Sequence, residues 1–459
     1  MTRHFDAIII GAGQARPPLA SRLTTAGMSV AIIERKLFGG TCVNTGCMPT
    51  KTLVASAYAA HVARRGADYR VMLDAPLRID MARVKARADA VSAHARAGVE
   101  NWLRGMKGCA VINGHARFDT PDTVRVGQDR LTAPRIFINV DGRAIVRDLP
   151  GVDKVPFLTN RIILALDRVP EHLVVVGGSY VGLEFAQIYR RFGATVTIVE
   201  MSTRLIARED EDVSQAIREI LEGEGITVRT GAECIRFAPH AEAVAIDLEC
   251  TSGDPEIVGS DVLLAVGRRP NTEDLGLDKA GVATDARGYI QVDDRLATNV
   301  QGIWALGDCN GRGAFTHTAD NDFEIVAANL LDGEGRRASD RVPAYALYID
   351  PPLGRVGMTE TEAGTGGRPL LVGRRPMNRV GRAIEKGETQ GFMKITVDAE
   401  ARKIIGAAIL GPGGDEAIHG ILDIMNTGVP YTTLQRAMPI HPTVSELIPT
   451  VLGEMQPVR

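Results

Sequence analysis

FDAIIIGAGQARPPLASRLTTAGMSVAIIE, running from Phe5 to Glu34, decides the fold. An apolar run meets a glycine-rich turn, a helix-compatible stretch closes at Gly27, and a second apolar run ends in Glu34. Strand, turn, helix and a strand ending in an acid is the order of a dinucleotide-binding unit. HLVVVGGSYVGLEFAQIYRRFGATVTIVE, from His172 to Glu200, repeats it. The spacing repeats as well: Gly11 to Glu34 is 34 − 11 = 23 positions, and Gly177 to Glu200 is 200 − 177 = 23. One glycine-rich turn after a strand is common, but two with the same spacing and the same terminal acid predict one chain that binds two dinucleotides.

In each unit the glycines let backbone approach a pyrophosphate at a helix N-terminus, where unpaired N–H groups and the helix dipole favour negative charge. The terminal carboxylates, Glu34 and Glu200, can accept hydrogen bonds from adenosine ribose hydroxyls. A 2′-phosphate would be repelled by Glu200, which favours NADH over NADPH; Arg204 and Arg208, close by in sequence, weaken that choice. Neither turn is regular. Arg16 stands where the third glycine of GxGxxG belongs, and Ser179 replaces the middle glycine of the second copy. The third glycine serves helix-to-strand packing, so the long side chain of Arg16 is expected to point outward or reach toward phosphate, costing packing and adding a phosphate contact.

The rest of the composition is consistent with this. A chain of 459 residues is too long for one core and suits two or three domains. Its 45% hydrophobic and 24% charged residues are ordinary for a globular protein, and 49 glycines point to many tight turns. A net charge of −3 gives no argument for nucleic acid, which would call for a strongly basic face. The first residues run straight into a strand with no signal-peptide pattern, and no apolar run reaches the roughly 18 to 20 residues of a membrane span. A cytoplasmic protein is the expectation. Six cysteines are too sparse for a disulfide scaffold, and Cys109, Cys234, Cys250 and Cys309 stand singly and read as inert.

The exception is GGTCVNTGCMPTK, Gly39 to Lys51, where Cys42 and Cys47 lie five positions apart. A structural staple, a pair of metal ligands and a redox couple are all open. On a regular helix their Cα atoms would be roughly 8 to 9 Å apart, beyond the roughly 7 Å limit for a disulfide. Bridging therefore requires Cys42 to lie in a distorted first turn, which Gly46 and Pro49 permit. A zinc site would normally need two further ligands, and no second CxxC or histidine pair accompanies these cysteines. Lys51, four residues after Cys47, would share a helix face with it and favour thiolate.

Toward the C-terminus, TNVQGIWALGDC (Thr298 to Cys309) ends a strand in Gly307-Asp308, an acid suited to a hydroxyl or phosphate-proximal contact. FMKITVDAEARKIIGAAILG alternates apolar residues around a turn at DAEARK and predicts antiparallel strands. In AMPIHPTVSELIPTVLGEM, His441 precedes a helix whose early turn carries Glu446, a pair in which a carboxylate orients an imidazole and raises its pKa for acid-base work.

Taken together, the first nucleotide fingerprint, GGTCVNTGCMPTK, GGSYVGLEFA, LLAVGRRPNT, GIWALGDC, YALYIDPPLGRVGMTE and HPTVSE occur in the order found in the pyridine nucleotide-disulfide oxidoreductases, the flavoenzyme family of glutathione reductase, lipoamide dehydrogenase and mercuric reductase. The chain resembles that family over essentially its whole length. The resemblance implies an α/β fold with two Rossmann-like domains, for FAD (1–145 and 270–340) and NAD(P) (146–269), and a C-terminal α+β dimerisation domain (341–459). It implies that Gly11, Gly13, Glu34, Thr41 and Asp308 hold FAD, that Gly177, Gly182, Glu200 and Gly267 bind NAD(P)H, and that Tyr180 covers the nicotinamide pocket. Cys47 would touch the flavin with Lys51 and Glu184 paired beside it, and Cys42 would be the exchange thiol. His441 and Glu446 would come from the other subunit of a homodimer.

The implied reaction passes electrons from NADH, or NADPH, through FAD and the Cys42–Cys47 disulfide to a small disulfide, oxidant or thiol-reactive metal ion, with no resident metal. The central sequence looks mercuric-reductase-like. The tail VLGEMQPVR, however, has no cysteine pair of the kind that mercuric reductases and high-molecular-weight thioredoxin reductases use. Two alternatives remain, a dihydrolipoamide dehydrogenase and a flavin-binding NADH oxidase or non-catalytic flavoprotein with an idle disulfide. A further departure is Asp141-Gly142, where the family usually shows an ATG-like turn, read as a change at the domain hinge.

Overall fold

The structure, a computed structural model, describes residues 2–233, 235–241, 243–248 and 254–458. The first repeat folds as read from its sequence. Strand β1 (Ala7–Ile10) leads through the glycine turn to α1 (Arg16–Thr25) and back to β2 (Val30–Glu34). Ile8, Ile9 and Ile10 are buried because helices and strands cover both faces of a parallel sheet. That sheet gains β3 (Cys109–Asn113), β4 (Ile136–Ile138) and a last strand, Ile303–Ala305. Its spatial order is Ile303–Ala305, β4, β1, β2, β3, all parallel. Strand order switches at β1, with β2 on one side and β4 on the other, so a crevice opens at the carboxyl ends of β1 and β4, where such sheets bind ligands.

The second repeat has the same plan. Strand β5 (His172–Val176), helix α2 (Tyr180–Phe192) and β6 (Thr195–Val199) are joined by β7 (Thr227–Arg229) and β8 (Asp261–Leu264), in the order β7, β6, β5, β8, all parallel. Two antiparallel strands, Gly142–Ala144 and Arg268–Pro270, carry the chain between the two nucleotide-binding units. Beyond residue 343 lies a six-stranded antiparallel sheet with helices against it, in which Phe392–Asp398 and Lys403–Leu410 form the hairpin expected from their alternation. The protein is thus α/β, with two Rossmann-like domains and a C-terminal α+β domain.

A short helix, Gly40–Thr45, and a long one, Cys47–Arg64, bring the cysteines into this frame. Leu53 and Ala57 of the long helix share a core with Leu183 and Ala186 of α2 and with Leu347 and Leu353 of the C-terminal sheet. All three domains therefore fix the orientation of the cysteine-bearing helix. Among the described residues no helix is long and apolar enough to cross a membrane.

Candidate active site

The cysteine pair sits across a helix break. The sequence calls for a distorted turn at Cys42 and offers Gly46 and Pro49 as residues that permit one; of the two it is Gly46 that lies outside helical geometry (φ −139°, ψ −120°), between the two helices. A Cβ at Gly46 would lie 2.9 Å from the Thr41 carbonyl oxygen, too close for any side chain. The break lets two thiols meet that a continuous helix would hold apart.

Both cysteines are thiols, and Cys42 donates its S–H to the Cys47 sulfur. That contact is the main reason the Cys47 thiol is lowered to about 6; burial opposes it, while the Thr316 hydroxyl, 3.5 Å away, and the Lys51 ammonium assist. The same contact, followed by burial, pushes the Cys42 thiol up. The contact therefore favours thiolate on Cys47 and thiol on Cys42. Thr316 opens the helix Thr316–Ala327, so the thiolate also faces a helix N-terminus.

Lys51, one turn along from Cys47, donates to both oxygens of Glu184 at 2.9 and 2.7 Å and lies 4.6 Å from the centre of the Tyr348 ring. Glu184 also accepts from the Tyr348 backbone N–H at 3.1 Å. Its burial on α2 explains why it has two donors: a carboxylate out of water must be paired and hydrogen-bonded.

The first nucleotide cradle lies in the crevice beside β1 and β4, in a cavity of about 400 Å³ lined by Gly11, Arg16, Glu34, Thr41, Asp141 and Arg268 among others. Gly11 has φ +103°, and a Cβ there would sit 2.5 Å from the Asn139 carbonyl oxygen; a Cβ on Gly40 would meet Asp141 Oδ2 at 2.6 Å. Glu34 accepts from the N–H groups of Ala12 and Lys36, both at 2.8 Å. Asp308 pairs with Arg268 at 3.1 Å; burial raises its pKa, with Arg268 opposing. This geometry fits the dinucleotide end of FAD.

Arg16 and Asp141 depart from the sequence expectations together. Arg16 does not point outward; it is 2% exposed and lies across Gly11 and Gly13, donating to Asn139 Oδ1 at 2.9 Å and to Asp141 Oδ1 at 3.0 Å. Asp141, read from sequence as a hinge change, turns at φ +56° and also accepts from the Thr41 N–H at 2.9 Å. Burial raises its pKa, but Arg16, the Thr41 N–H and Arg268 outweigh it, so the carboxyl stays below its usual range.

In the second cradle Gly177 has φ +117° with the Ala265 carbonyl 2.4 Å from where a Cβ would lie, and Gly182 packs on the Gly177 carbonyl. Glu200 accepts from Gly178 and Ser202 N–H at 2.6 and 2.7 Å. Gly267, in a positive-φ turn beyond β8, faces Ile145. Arg204 donates to the carbonyls of Ala207 and Glu209, and Arg208 stacks on the Tyr180 ring, so both arginines are engaged away from Glu200. Tyr180 begins α2, edge-on to Phe315 and Tyr345; burial pushes its hydroxyl up to about 12, with the Tyr345 hydroxyl opposing.

His441 Nδ1 lies 2.7 Å from Glu446 Oε2 as the sequence implied, but the imidazole is 81% exposed and none of the described hydrogen bonds of Cys42 or Cys47 reaches it. Met438 and Ile440 beside it are also exposed. Cys309 and Cys109 are pushed up to about 12 and about 11 by burial, as inert thiols are; Cys234 and Cys250 lie outside the described residues. Among the described residues no group of three or more His, Cys, Asp or Glu side chains could hold a metal ion. Sequence reasoning gave no role to Thr316, Asn139, Arg268 or the Phe315–Tyr345 stack: Arg268 and Tyr345 fall within quoted motifs, but each residue reaches the site from a distant segment, and spacing along the chain does not show where it lands.

Residues 5–322 match the family described as pyridine nucleotide-disulphide oxidoreductase, and residues 343–452 match its dimerisation domain. The probable pyridine nucleotide-disulfide oxidoreductase RclA of Escherichia coli strain K12 is 35% identical over 96% of this chain and 97% of its own. A dihydrolipoyl dehydrogenase of Thermus scotoductus is 33% identical over 96% and 95%. The solved Cu(II) complex of the HOCl-induced flavoprotein disulfide reductase RclA from E. coli superposes with a TM-score of 0.89 at 33% identity, covering 98% of this chain and 99% of that one.

Proposed function

Because the chain belongs to the pyridine nucleotide-disulphide oxidoreductase family, we propose that it is an NAD(P)H-dependent flavin disulfide reductase whose working couple is Cys42–Cys47 and whose acceptor is a small disulfide, oxidant or thiol-reactive metal ion. The observation that carries this reading is the helix break at Gly46, which joins the two thiols and leaves the charge on Cys47. FAD would be held by Gly11, Gly13, Glu34, Thr41 and Asp308, and would supply hydride acceptance from the nicotinamide and two-electron reduction of the disulfide. Lys51, fixed by Glu184, stabilises negative charge on Cys47.

With a disulfide acceptor, His441 takes the proton of Cys42, the Cys42 thiolate attacks one sulfur to form a mixed disulfide, and the thiolate released takes that proton back from His441. Cys47 thiolate then attacks Cys42, expelling the second thiol and restoring the internal disulfide. With a one-electron metal ion, two equivalents are reduced as the dithiol closes to disulfide. The Cu(II) complex of the E. coli relative supports a metal ion among the acceptors.

The dimerisation-domain match and the exposed Met438, Ile440 and His441 support a homodimer in which the partner subunit's His441 serves Cys42. Glu200, with Arg204 and Arg208 occupied elsewhere, supports NADH over NADPH, and a cytoplasmic location would suit that donor. The likeness to dihydrolipoyl dehydrogenases keeps lipoamide as the second reading.

Steady-state assays of FAD-loaded protein with NADH and NADPH against lipoamide, glutathione disulfide, Cu(II) and oxygen separate these readings. Cys42→Ser should abolish turnover with disulfide acceptors while FAD stays bound. Unchanged disulfide turnover in that variant rejects the assignment.

A further inference from the structure

The two residues that depart from the regular fingerprint, Arg16 and Asp141, are far apart in sequence and meet in the nucleotide cradle. The topology brings them there: Arg16 opens α1 just after β1, and Asp141 follows β4, the strand paired with β1 across the crevice. Cβ atoms built on Gly11 and Gly13 would lie 2.7 and 2.8 Å from guanidinium atoms of Arg16, so that group covers the two glycine faces a pyrophosphate approaches. Its Nε is buried with no hydrogen-bond partner. Asp141 binds Arg16 through one oxygen and through the other takes the Thr41 N–H. Arg268 and Asp308 add a second opposite pair nearby. A diphosphate entering this cradle is attracted by Arg16 and repelled by Asp141, and Asp141 already holds two donors that an anion would use.

We propose that Arg16 and Asp141 form a resident ion pair that sets how tightly the FAD diphosphate is held, with Arg16 as its counter-cation and Asp141 as a built-in competitor. The proposal rests on the FAD reading above. It makes Arg16 a cofactor-binding residue that compensates for an acid in the cradle, and it explains why a long side chain replaces a packing glycine. A mutual brace with no bearing on the cofactor would behave differently, because removing either partner would then leave a buried charge and loosen the site in the same direction.

Flavin release from the full-length holoenzyme, followed as the rise in free-flavin fluorescence after dilution, tests this together with flavin content on purification. Asp141→Asn should slow release and Arg16→Gly should speed it, each by about tenfold, the ratio that one lost or gained charge-assisted contact gives. Arg16→Gly with Asp141→Thr should return to within about threefold of the parent, since cation and competitor leave together. Faster release in both single variants, or no change in either, overturns the proposal. Should Arg16→Gly fail to fold, Asp141→Asn decides alone, because a brace and a competitor move it in opposite directions. A parent protein that never takes up FAD defeats the functional reading itself, and that outcome is distinct from flavin bound alike by every variant.

Discussion

The charge on Cys47 depends more on Cys42 than on any other group, and that dependence can be measured. The Cys47 thiol is lowered from 9.0 to about 6, and the largest cause is the S–H donated by Cys42. Cys42→Ala removes that donor and leaves burial, the opposing effect, in place. The Thr316 hydroxyl and Lys51 then hold the thiolate alone. Because Cys47, though partly desolvated, keeps solvent-accessible surface, solvent screens part of the change, and the midpoint should rise by about 1 to 2 pH units rather than the whole interval. Cys42→Ser keeps a hydroxyl donor at the same place and should hold the midpoint near its parent value. The assay is the rate of iodoacetamide alkylation of Cys47 between pH 4.5 and 9.5 in reduced protein, with the modified peptide identified by mass spectrometry. The sign follows from thiolate being the nucleophile: alkylation is fast above the midpoint and falls as pH drops through it. An alanine variant that keeps a midpoint of about 6 would refute the claim that Cys42 polarises its neighbour.

Three further outcomes follow from the geometry. Gly46→Ala puts a Cβ 2.9 Å from the Thr41 carbonyl oxygen, so the helix break should shift; thiol titration of the oxidised protein should then find more free thiol than in the parent, and an unchanged count would contradict the role given to Gly46. Lys51→Met strands the buried Glu184 carboxylate with one N–H donor and should destabilise by about 2 to 3 kcal/mol. Glu184→Gln leaves Lys51, a third exposed, free to reach water and should cost less than about 1 kcal/mol; thermal melts showing equal losses would contradict that asymmetry. Glu200→Ala frees the Gly178 and Ser202 N–H groups and should raise KM for NADH about tenfold while narrowing discrimination against NADPH; steady-state kinetics with both donors check it.

Much of this protein was legible along the chain because its signals are local. A glycine turn and a terminal acid lie within one strand-helix-strand unit, so both nucleotide units could be recognised from spacing alone, and Glu34 and Glu200 fall where those units end. Lys51 could be placed beside Cys47 because a helix carries residues four apart on one face. The hairpin around Asp398 and the contact between His441 and Glu446 are also short-range, set by alternation and by a few residues of chain.

What only tertiary structure decided is which distant groups converge. The sequence offers Gly46 and Pro49 as places for the irregularity, and tertiary structure puts the break at Gly46, where the Thr41 carbonyl leaves no room for a side chain. Thr316 reaches Cys47 from a helix that begins 269 positions later. Arg16 and Asp141 each looked like a separate flaw, one in packing and one in a hinge. They became a single ion pair because parallel pairing of β1 with β4 delivers their loops to one crevice, and a cation and an acid buried there are stable only when they neutralise each other.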